Sequence, residues 1–130
     1  MSQEAMKQHG AFSWNELMTT DVQGAKRFYS ELLGWTLQDF KPSEMDYTVI
    51  KAGDTQVGGI MTIPDKAKGM PPAWGAYVTV DDVDATAARV AQLGGKVLVP
   101  ATDIPDVGRF VVIQDPQGAI LSLITYVAMA

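Results

Sequence analysis

The sequence predicts an α+β fold built from two βαβββ modules. The first observation behind this prediction is an internal repeat, because residues 17–37 align with residues 78–98 at a constant offset of 61. The second is that residues 47–61 align with residues 110–124 at an offset of 63. Self-similarity at a fixed spacing is the mark of a duplicated structural unit. At 130 residues, the two units together have the length of one domain with a sizeable core.

Both halves begin with the same strand and helix signals. Strands are predicted at 12–19 and 74–80, and helices follow near 22–33 and 83–94. Three shorter strands follow each helix, and the last two in each half are joined by a tight turn. These strands are predicted near 35–40, 46–51, 56–62, 96–100, 109–114 and 119–126, with the turns at 52–55 and 115–118.

The helix ends carry their own signals. Asp21 and Asp82 each precede a helix as N-caps, because a carboxylate accepts hydrogen bonds from the free N–H groups of the first turn. Gly34 and Gly95 stand where left-handed C-caps are expected. Six apolar residues of the first helix keep helical spacing and predict one buried face, made of Val22, Ala25, Phe28, Tyr29, Leu32 and Leu33.

The organisation along the chain follows from the repeat. Residues 1–10 are predicted to form an N-terminal tail, either loose or with a short helix. The first module covers residues 11–63 and the second covers residues 73–127. A linker rich in Pro and Lys, residues 64–72, joins them into one domain overall.

Composition and charge exclude several classes of function. The chain has no cysteine, so disulfides and thiolate sites are ruled out. Its net charge is −5 and the charges are scattered, which argues against nucleic acid and against anionic membrane surfaces as partners. The N-terminal residues lack the apolar core of a signal peptide, and no apolar stretch approaches the ~20 residues of a membrane span. We therefore expect a cytoplasmic protein.

Three stretches of the sequence resemble a known family. They read TTDVQGAKRFYSELLGW, YVTVDDVDATAARVAQLGGKVL and GRFVVIQDPQGAILSLI. In these stretches the chain resembles the vicinal oxygen chelate superfamily, which includes glyoxalase I, bleomycin-resistance proteins and extradiol dioxygenases. Within it, the chain is most similar to small bacterial glyoxalase-like proteins. The resemblance covers residues 11–126 and implies curved mixed sheets around a cleft, and a homodimer.

The resemblance also implies where metal ligands would stand. Family metalloenzymes place His, Glu or Gln on the first and last strand of each module. The matching positions here are Trp14 and Gly59 in the first module, and Gly75 and Ser122 in the second. None of these four residues is of a type that binds the metal in this family, and the single histidine, His9, lies in the N-terminal tail. We therefore expect no metal site of the family type and no cofactor.

Strand alternation predicts which residues line the cleft. If Trp14 and Gly75 face it, then every second residue of those strands faces it too. The opposite face of the fifth strand, with Ala76, Val78 and Val80, suits packing against a helix. The predicted lining is apolar with a few polar groups, as in many ligand sites. It consists of Trp14, Glu16, Met18, Met61, Tyr77, Thr79, Ser122 and Ile124.

Several of these residues have more than one interpretation. Trp14 either stacks on a planar ligand or fills the space above the glycines. Glu16 is either held structurally by Tyr77 or by the Trp14 N–H, or acts as a general base. Ser122 is a hydrogen-bond donor, since no base is placed to activate it as a nucleophile. Arg109 lies in a predicted loop, 102–110, where it either pairs with that loop's acidic residues, Asp103 and Asp106, or reaches an anionic ligand.

Three functions are consistent with these patterns. The first is a metal-free binder of a small apolar or aromatic molecule, acting by sequestration. The second is a glyoxalase-like lyase or isomerase that uses Glu16 as the base, with Tyr77 or Ser122 as hydrogen-bond donors. The third is a non-catalytic interaction domain whose cleft is filled by its own side chains.

Overall fold

The structure is a computed structural model that describes residues 3–40, 47–65, 68–104 and 106–127. These residues contain eight strands and three α-helices. The N-terminal segment carries the short helix α1, Gln3–Lys7, which confirms the helical alternative for this tail. No helix in the described part of the chain has the length and apolar character needed to cross a bilayer.

The first module has the predicted βαβββ order. Its sheet runs β2-β3-β4-β1, with β1 parallel to β4 and the other neighbours antiparallel. The predicted start of β3 at Asp46 lies outside the described residues. The elements are β1 (Phe12–Thr19), α2 (Val22–Leu33), β2 (Thr36–Phe40), β3 (Tyr47–Ala52) and β4 (Thr55–Thr62).

The second module repeats this order. Its strands run β5-β8-β7-β6, with β5 parallel to β8 and the remaining pairs antiparallel. The α+β class and the duplicated βαβββ order are therefore confirmed. The elements are β5 (Ala73–Thr79), α3 (Val83–Val90), β6 (Lys96–Ile104), β7 (Gly108–Gln114) and β8 (Ile120–Tyr126).

Both helices begin at the predicted caps. The carboxylate of Asp21 accepts a hydrogen bond from the N–H of Gly24, and that of Asp82 accepts from the N–H groups of Asp84 and Ala85. Gly34 ends α2 with a left-handed φ of 72°, as predicted.

The prediction for the end of α3 is wrong by one residue. The left-handed residue is Gly94, with φ 93°, rather than Gly95. The helix tightens into a 3-10 turn at Ala91–Leu93, and this narrower turn closes earlier than the α-helical turn of the first module. Gly95 still donates its N–H to the carbonyl of Val90, so the cap uses both glycines.

Each module has its own apolar core between its sheet and its helix. In the first, Leu17, Ile50 and Ile60 pack with Val22, Ala25 and Tyr29 of α2. In the second, the core includes two of the three residues predicted to face the helix, Val78 and Val80, but not Ala76. It consists of Val78, Val80, Val83, Val111 and Leu123.

The predicted buried face of α2 is only partly correct. Val22, Ala25 and Tyr29 contact the core, whereas Phe28, Leu32 and Leu33 are more than half exposed. Spacing alone cannot separate these three residues from the core-facing ones, because the apolar stripe is wider than the surface that the sheet covers.

Strand β6 is longer than predicted and removes most of the expected loop at 102–110. Thr102 pairs with Phe110 and Ile104 pairs with Gly108, so this segment is the end of a β-hairpin. Register shifts between Val97 and Val99 and between Val99 and Thr102 let the strand continue past Pro100. Proline is tolerated here because β6 is an edge strand, with a neighbour on one side only.

The chain divides into two compact units. One is Trp14–Gly75, and the other contains the described residues before Trp14 and after Gly75. The N-terminal segment belongs to the second unit because Gly10 and Ala11 exchange backbone hydrogen bonds with Thr79 of β5. The module limits 11–63 and 73–127, and the linker 64–72, stay predictions; residues 66 and 67 of that linker lie outside the described residues.

Candidate functional site

In the first unit, one face of the sheet carries the predicted site residues. Leu17 and Ile60 point toward α2, so their neighbours along β1 and β4 point to the opposite face. The parallel pairing of the two strands sets Glu16 beside Gly59 and Met18 beside Met61. The structure therefore brings five residues to one face, namely Trp14, Glu16, Met18, Gly59 and Met61.

The central residue of this face is Tyr47, which sequence reasoning missed. Its hydroxyl donates a hydrogen bond to Oε1 of Glu16 at 2.9 Å and accepts one from Nε1 of Trp14 at 2.8 Å. Tyr47 lies at the start of a strand that the sequence predicts, but its proximity to Glu16 depends on strand pairing that no local pattern reveals. The repeat did contain a signal, since it aligns Tyr47 with another aromatic residue, Phe110.

Tyr47 occupies the space next to Gly59. A Cβ atom built on Gly59 would collide with the ring and hydroxyl of Tyr47. At Gly75, by contrast, a Cβ atom would meet no heavy atom within 4 Å. One glycine at a family ligand position is thus covered by an aromatic ring, whereas the other borders open space.

Glu16 is a buried carboxylate with an identified partner. Its relative exposure is 6 %, and a buried carboxylate is costly unless it is hydrogen-bonded. Tyr47 supplies such a bond, which offsets part of that cost. The prediction that the Trp14 N–H reaches Glu16 directly is wrong, because Tyr47 lies between them and accepts that N–H.

In the second unit, the predicted residues also share one face. Tyr77 pairs with Ser122 and Thr79 pairs with Ile124 across the parallel strands β5 and β8. Tyr77 makes an edge contact with the ring of Phe110, with centroids 6.4 Å apart. The hydroxyl of Thr79 donates to the carbonyl of Ala5 at 2.8 Å.

The residues on this face of β5 and β8 differ in how deeply they are buried. Tyr77, Thr79 and Ile124 are buried, whereas Ser122 is half-buried. Because the Thr79 hydroxyl is bonded to the carbonyl of Ala5, the side chains on this face are mainly apolar, and Tyr77 and Ile124 among them are buried.

The residues at the family ligand positions do not fit a divalent metal ion. Zinc takes about four N, O or S donors, most of them from side chains. Gly59 and Gly75 have no side chain, and the indole of Trp14 has an N–H and no lone pair to offer. Across residues 3–40, 47–65, 68–104 and 106–127, no three His, Cys, Asp or Glu side chains converge as a metal site requires. We therefore derive no chemistry through a metal at these positions.

Arg109 is held in an ion pair. Its guanidinium contacts the carboxylates of Asp84 and Asp103, each at 3.0 Å. Hydrogen bonds to Asp84 and then to Asp103 raise the pKa of Arg109. The pairing with Asp103 confirms the structural interpretation of this arginine. Asp84, in the first turn of α3, was not foreseen as a partner, and Asp106 instead takes a left-handed φ of 66° in the turn.

Relatives with curated names share a large part of the sequence. CFP32 of Mycobacterium tuberculosis, named as a candidate glyoxylase, is 46% identical over 116 residues, which is 88% of this chain and 44% of that protein. The anthracycline biosynthesis protein DnrV of Streptomyces peucetius is 32% identical over 123 residues, covering 85% of this chain and 45% of that protein. The chain spans less than half the length of both relatives.

Solved structures share the fold at low sequence identity. A Streptomyces coelicolor methylmalonyl-CoA epimerase superposes with a TM-score of 0.66 at 16% identity, covering 93% of this chain and 100% of that one. The Mycobacterium tuberculosis methylmalonyl-CoA epimerase gives a TM-score of 0.62 at 18% identity, covering 88% and 86%. The sequence profile of the Glyoxalase/Bleomycin resistance protein/Dioxygenase superfamily matches residues 11–123. The duplicated βαβββ order and this match agree, and the chain belongs to that superfamily.

Proposed function

We propose that this protein is a glyoxalase-like binder of a small apolar or aromatic molecule, which it holds without a metal at the family ligand positions. The observation that carries the proposal is the bridge formed by Tyr47. Its ring covers Gly59, and its hydroxyl joins the Trp14 N–H to the Glu16 carboxylate. An aromatic and hydrogen-bonded surface thus stands where a metalloenzyme of this family would carry charged or imidazole ligands.

The chemistry of this surface suits a flat ligand with polar substituents. Trp14, Met18 and Met61 are half-buried on one face, and indole rings and thioethers both attract aromatic rings. The Tyr47 and Glu16 pair adds one polar point that can orient a ligand hydroxyl or carbonyl. Two Streptomyces relatives, at 32% and 31% identity, are named for anthracycline biosynthesis, and anthracyclines are fused aromatic molecules.

Calorimetric titration with alizarin, a hydroxyanthraquinone, tests this proposal. Replacing Trp14 by Ala removes the stacking surface, so alizarin affinity is expected to fall at least about tenfold, or 1.4 kcal/mol. Trp74→Ala is the matched control, because Trp74 is a partly exposed indole of the same unit that packs on Tyr29 and Trp35 instead. Equal affinities of the wild type and Trp14→Ala would contradict the proposal, as would absence of binding by the folded wild type.

A second candidate function rests on the burial of Glu16. A carboxylate in an apolar setting next to a phenol can act as a general base, so a lyase or isomerase is the alternative. Turnover of the hemithioacetal of methylglyoxal and glutathione by the wild type, lost in Glu16→Gln, would favour this candidate. Under the binding proposal, neither protein turns over this substrate, and Glu16→Gln still binds alizarin.

A further inference from the structure

The N-terminal segment lies on one face of the second module. Val78 and Val80 of β5 pack in the core of that module, so Thr79 between them points to the opposite side of the sheet. There its hydroxyl donates a hydrogen bond to the carbonyl of Ala5 in α1, at 2.8 Å. Helix α1 therefore lies on the side of the sheet that is here called the second face. This face carries Tyr77, Thr79, Ser122 and Ile124.

A single glycine turns the chain onto the second face. Gly10 donates its N–H to the carbonyl of Thr79 at 2.7 Å, and Thr79 donates its own N–H to the carbonyl of Ala11 at 2.8 Å. Two residues thus oppose one, which is a β-bulge, and Gly10 has the left-handed φ of 87° that this kind of bulge requires of its first residue. Residues 3–9 precede the bend and are here called the flap. A rotation at Gly10 moves the flap and leaves the pairing of Ala11 in place.

The flap is anchored by contacts that are open to solvent. Nδ1 of His9 accepts a hydrogen bond from the N–H of Asp81 at 2.9 Å and lies 3.7 Å from the Asp81 carboxylate. Both side chains are more than half exposed, and residues 4–9 are all exposed or half-buried. Segments with exposed hydrogen bonds and little apolar burial open locally at a lower free energy than the whole domain. The flap has the properties of such a segment.

The two modules differ in burial at the place where the flap lies. Thr79 and Ile124 of the second face are each only 3 % exposed. Their repeat partners in the first module, Met18 and Met61, are half-buried. The second face is therefore more closed than its counterpart at these two positions, and the flap is bonded to one of them.

We propose that the flap is a gate over a further binding site, which opens by rotation at Gly10 and admits a small apolar molecule to the second face. Tyr77, Phe110 and Ile124 supply the apolar surface, because Phe110 pairs with Ile124 and its ring contacts that of Tyr77. These three residues and the flap belong to the second unit, so the site does not include Trp14.

The ligand of this site has to replace one hydrogen bond. Opening separates the Thr79 hydroxyl from the Ala5 carbonyl, and a buried hydroxyl without a partner is costly. A ligand with a hydroxyl or carbonyl group restores that bond, so such a molecule binds better than a plain hydrocarbon. Because the closed flap competes with the ligand, the apparent affinity is the intrinsic affinity multiplied by the fraction of molecules whose flap is open.

Amide hydrogen exchange of the intact protein, followed by NMR, tests the hinge. Opening releases the N–H groups of Gly10 and Asp81, whereas the N–H of Thr79 stays bonded to Ala11 on the other side of the hinge. The protection factors of Gly10 and Asp81 are expected to be at least about tenfold lower than that of Thr79. Equal protection of all three would overturn the proposal, because the flap would then open only together with the strand.

Replacing His9 tests whether the flap opens as one unit. His9→Ala removes the acceptor of the Asp81 N–H. The protection factor of Gly10, whose N–H bonds to Thr79 instead, is expected to fall at least about threefold. Gln8→Ala is the matched control, because the Gln8 side chain bonds to the His9 carbonyl within the flap itself. Loss of protection at Asp81 alone would contradict a gate, since His9 would then stabilise only its own contact.

Thymol, an apolar aromatic molecule with one hydroxyl, is the probe for the site. By holding the flap open, saturating thymol is expected to lower the protection factors of Gly10 and Asp81 and to shift the methyl resonances of Ile124. The control is p-cymene, which is thymol without the hydroxyl and is expected to bind more weakly. The proposal fails if thymol leaves Gly10 and Asp81 unchanged, whether it stays unbound or binds near Trp14 instead. None of these outcomes depends on whether alizarin binds.

Discussion

At the scale of single residues, Gly59 and Tyr47 depend on each other. The ring of Tyr47 rests where any side chain at position 59 would begin, so glycine is required for the ring to reach Glu16. The absence of a ligand side chain at this family position is thus coupled to the presence of an aromatic one on a neighbouring strand. Together, the two features put a hydrogen-bonded tyrosine where a metalloenzyme of this family would carry a metal ligand.

Adding one methyl group tests this dependence. Gly59→Ala forces Tyr47 away from Glu16, and overpacking of this kind costs about 1–3 kcal/mol. Thermal melting is expected to show a lower midpoint, and calorimetry a weaker affinity for alizarin. Gly75→Ala is the control, because its Cβ would meet nothing within 4 Å. The interpretation fails if the two variants melt alike.

Ser13 and Tyr126 form a second buried polar contact. Their hydroxyls are 2.8 Å apart, and Ser13 is fully buried. Burial raises the pKa of Tyr126, and the hydrogen bond to Ser13 offsets part of that rise. The folded protein therefore keeps the phenol proton at a pH where the unfolded chain has already released it.

This shift predicts how stability depends on pH at the alkaline end. The contribution of Tyr126 is present below about pH 10, the ordinary tyrosine value, and is lost as the pH rises through the higher folded pKa. Urea unfolding is expected to show a steeper loss of stability above that pH in the wild type than in Tyr126→Phe. Identical slopes in the two proteins would count against a raised pKa.

At the scale of elements, the N-cap residues define where the helices begin. The carboxylate of Asp82 holds two N–H groups of α3, whereas that of Asp21 holds one of α2. Helix α3 ends in a 3-10 turn, whereas α2 ends directly at the left-handed Gly34. The helices of the two modules are therefore more alike at their starts than at their ends.

Removing the Asp82 cap is expected to destabilise the second module. Asp82→Ala leaves two N–H groups of the first turn without their partner, and loss of an N-cap costs about 0.5–2 kcal/mol. Urea denaturation measures this change. Asp82→Asn is the control, because an asparagine oxygen caps nearly as well, and a loss as large as that of the alanine variant would show that charge rather than capping matters.

At the scale of the whole molecule, the side chains available to bind a metal predict how metals affect thermal stability. The described residues offer no converging group of His, Cys, Asp or Glu, and the family ligand positions are Trp, Gly, Gly and Ser. The melting temperature is therefore expected to be unchanged by EDTA and by stoichiometric zinc or nickel. A rise of several degrees with one equivalent of metal would contradict this expectation, because a ligand that binds the folded state stabilises it.

Much of the fold follows from local signals in the sequence. The repeat, the caps at Asp21 and Asp82, and the glycine turns predicted the order and approximate bounds of the elements. These features act between residues near in sequence, so a pattern can reveal them. The alternation of β1 and β5 likewise predicted which face carries Trp14, Glu16, Tyr77 and Thr79, because side chains in a strand alternate between faces.

The sequence by itself therefore determined the class of fold, the module order and the lack of family metal ligands. Only the tertiary structure decided that Tyr47 covers Gly59 and bonds to Glu16, that Arg109 reaches Asp84, and that Phe28 and Leu32 stay outside the core. These contacts join residues that are far apart in the chain, or depend on how wide a strip of helix the sheet covers. Both depend on which strands become neighbours and how closely the elements pack, and these are properties of the whole fold rather than of a local pattern.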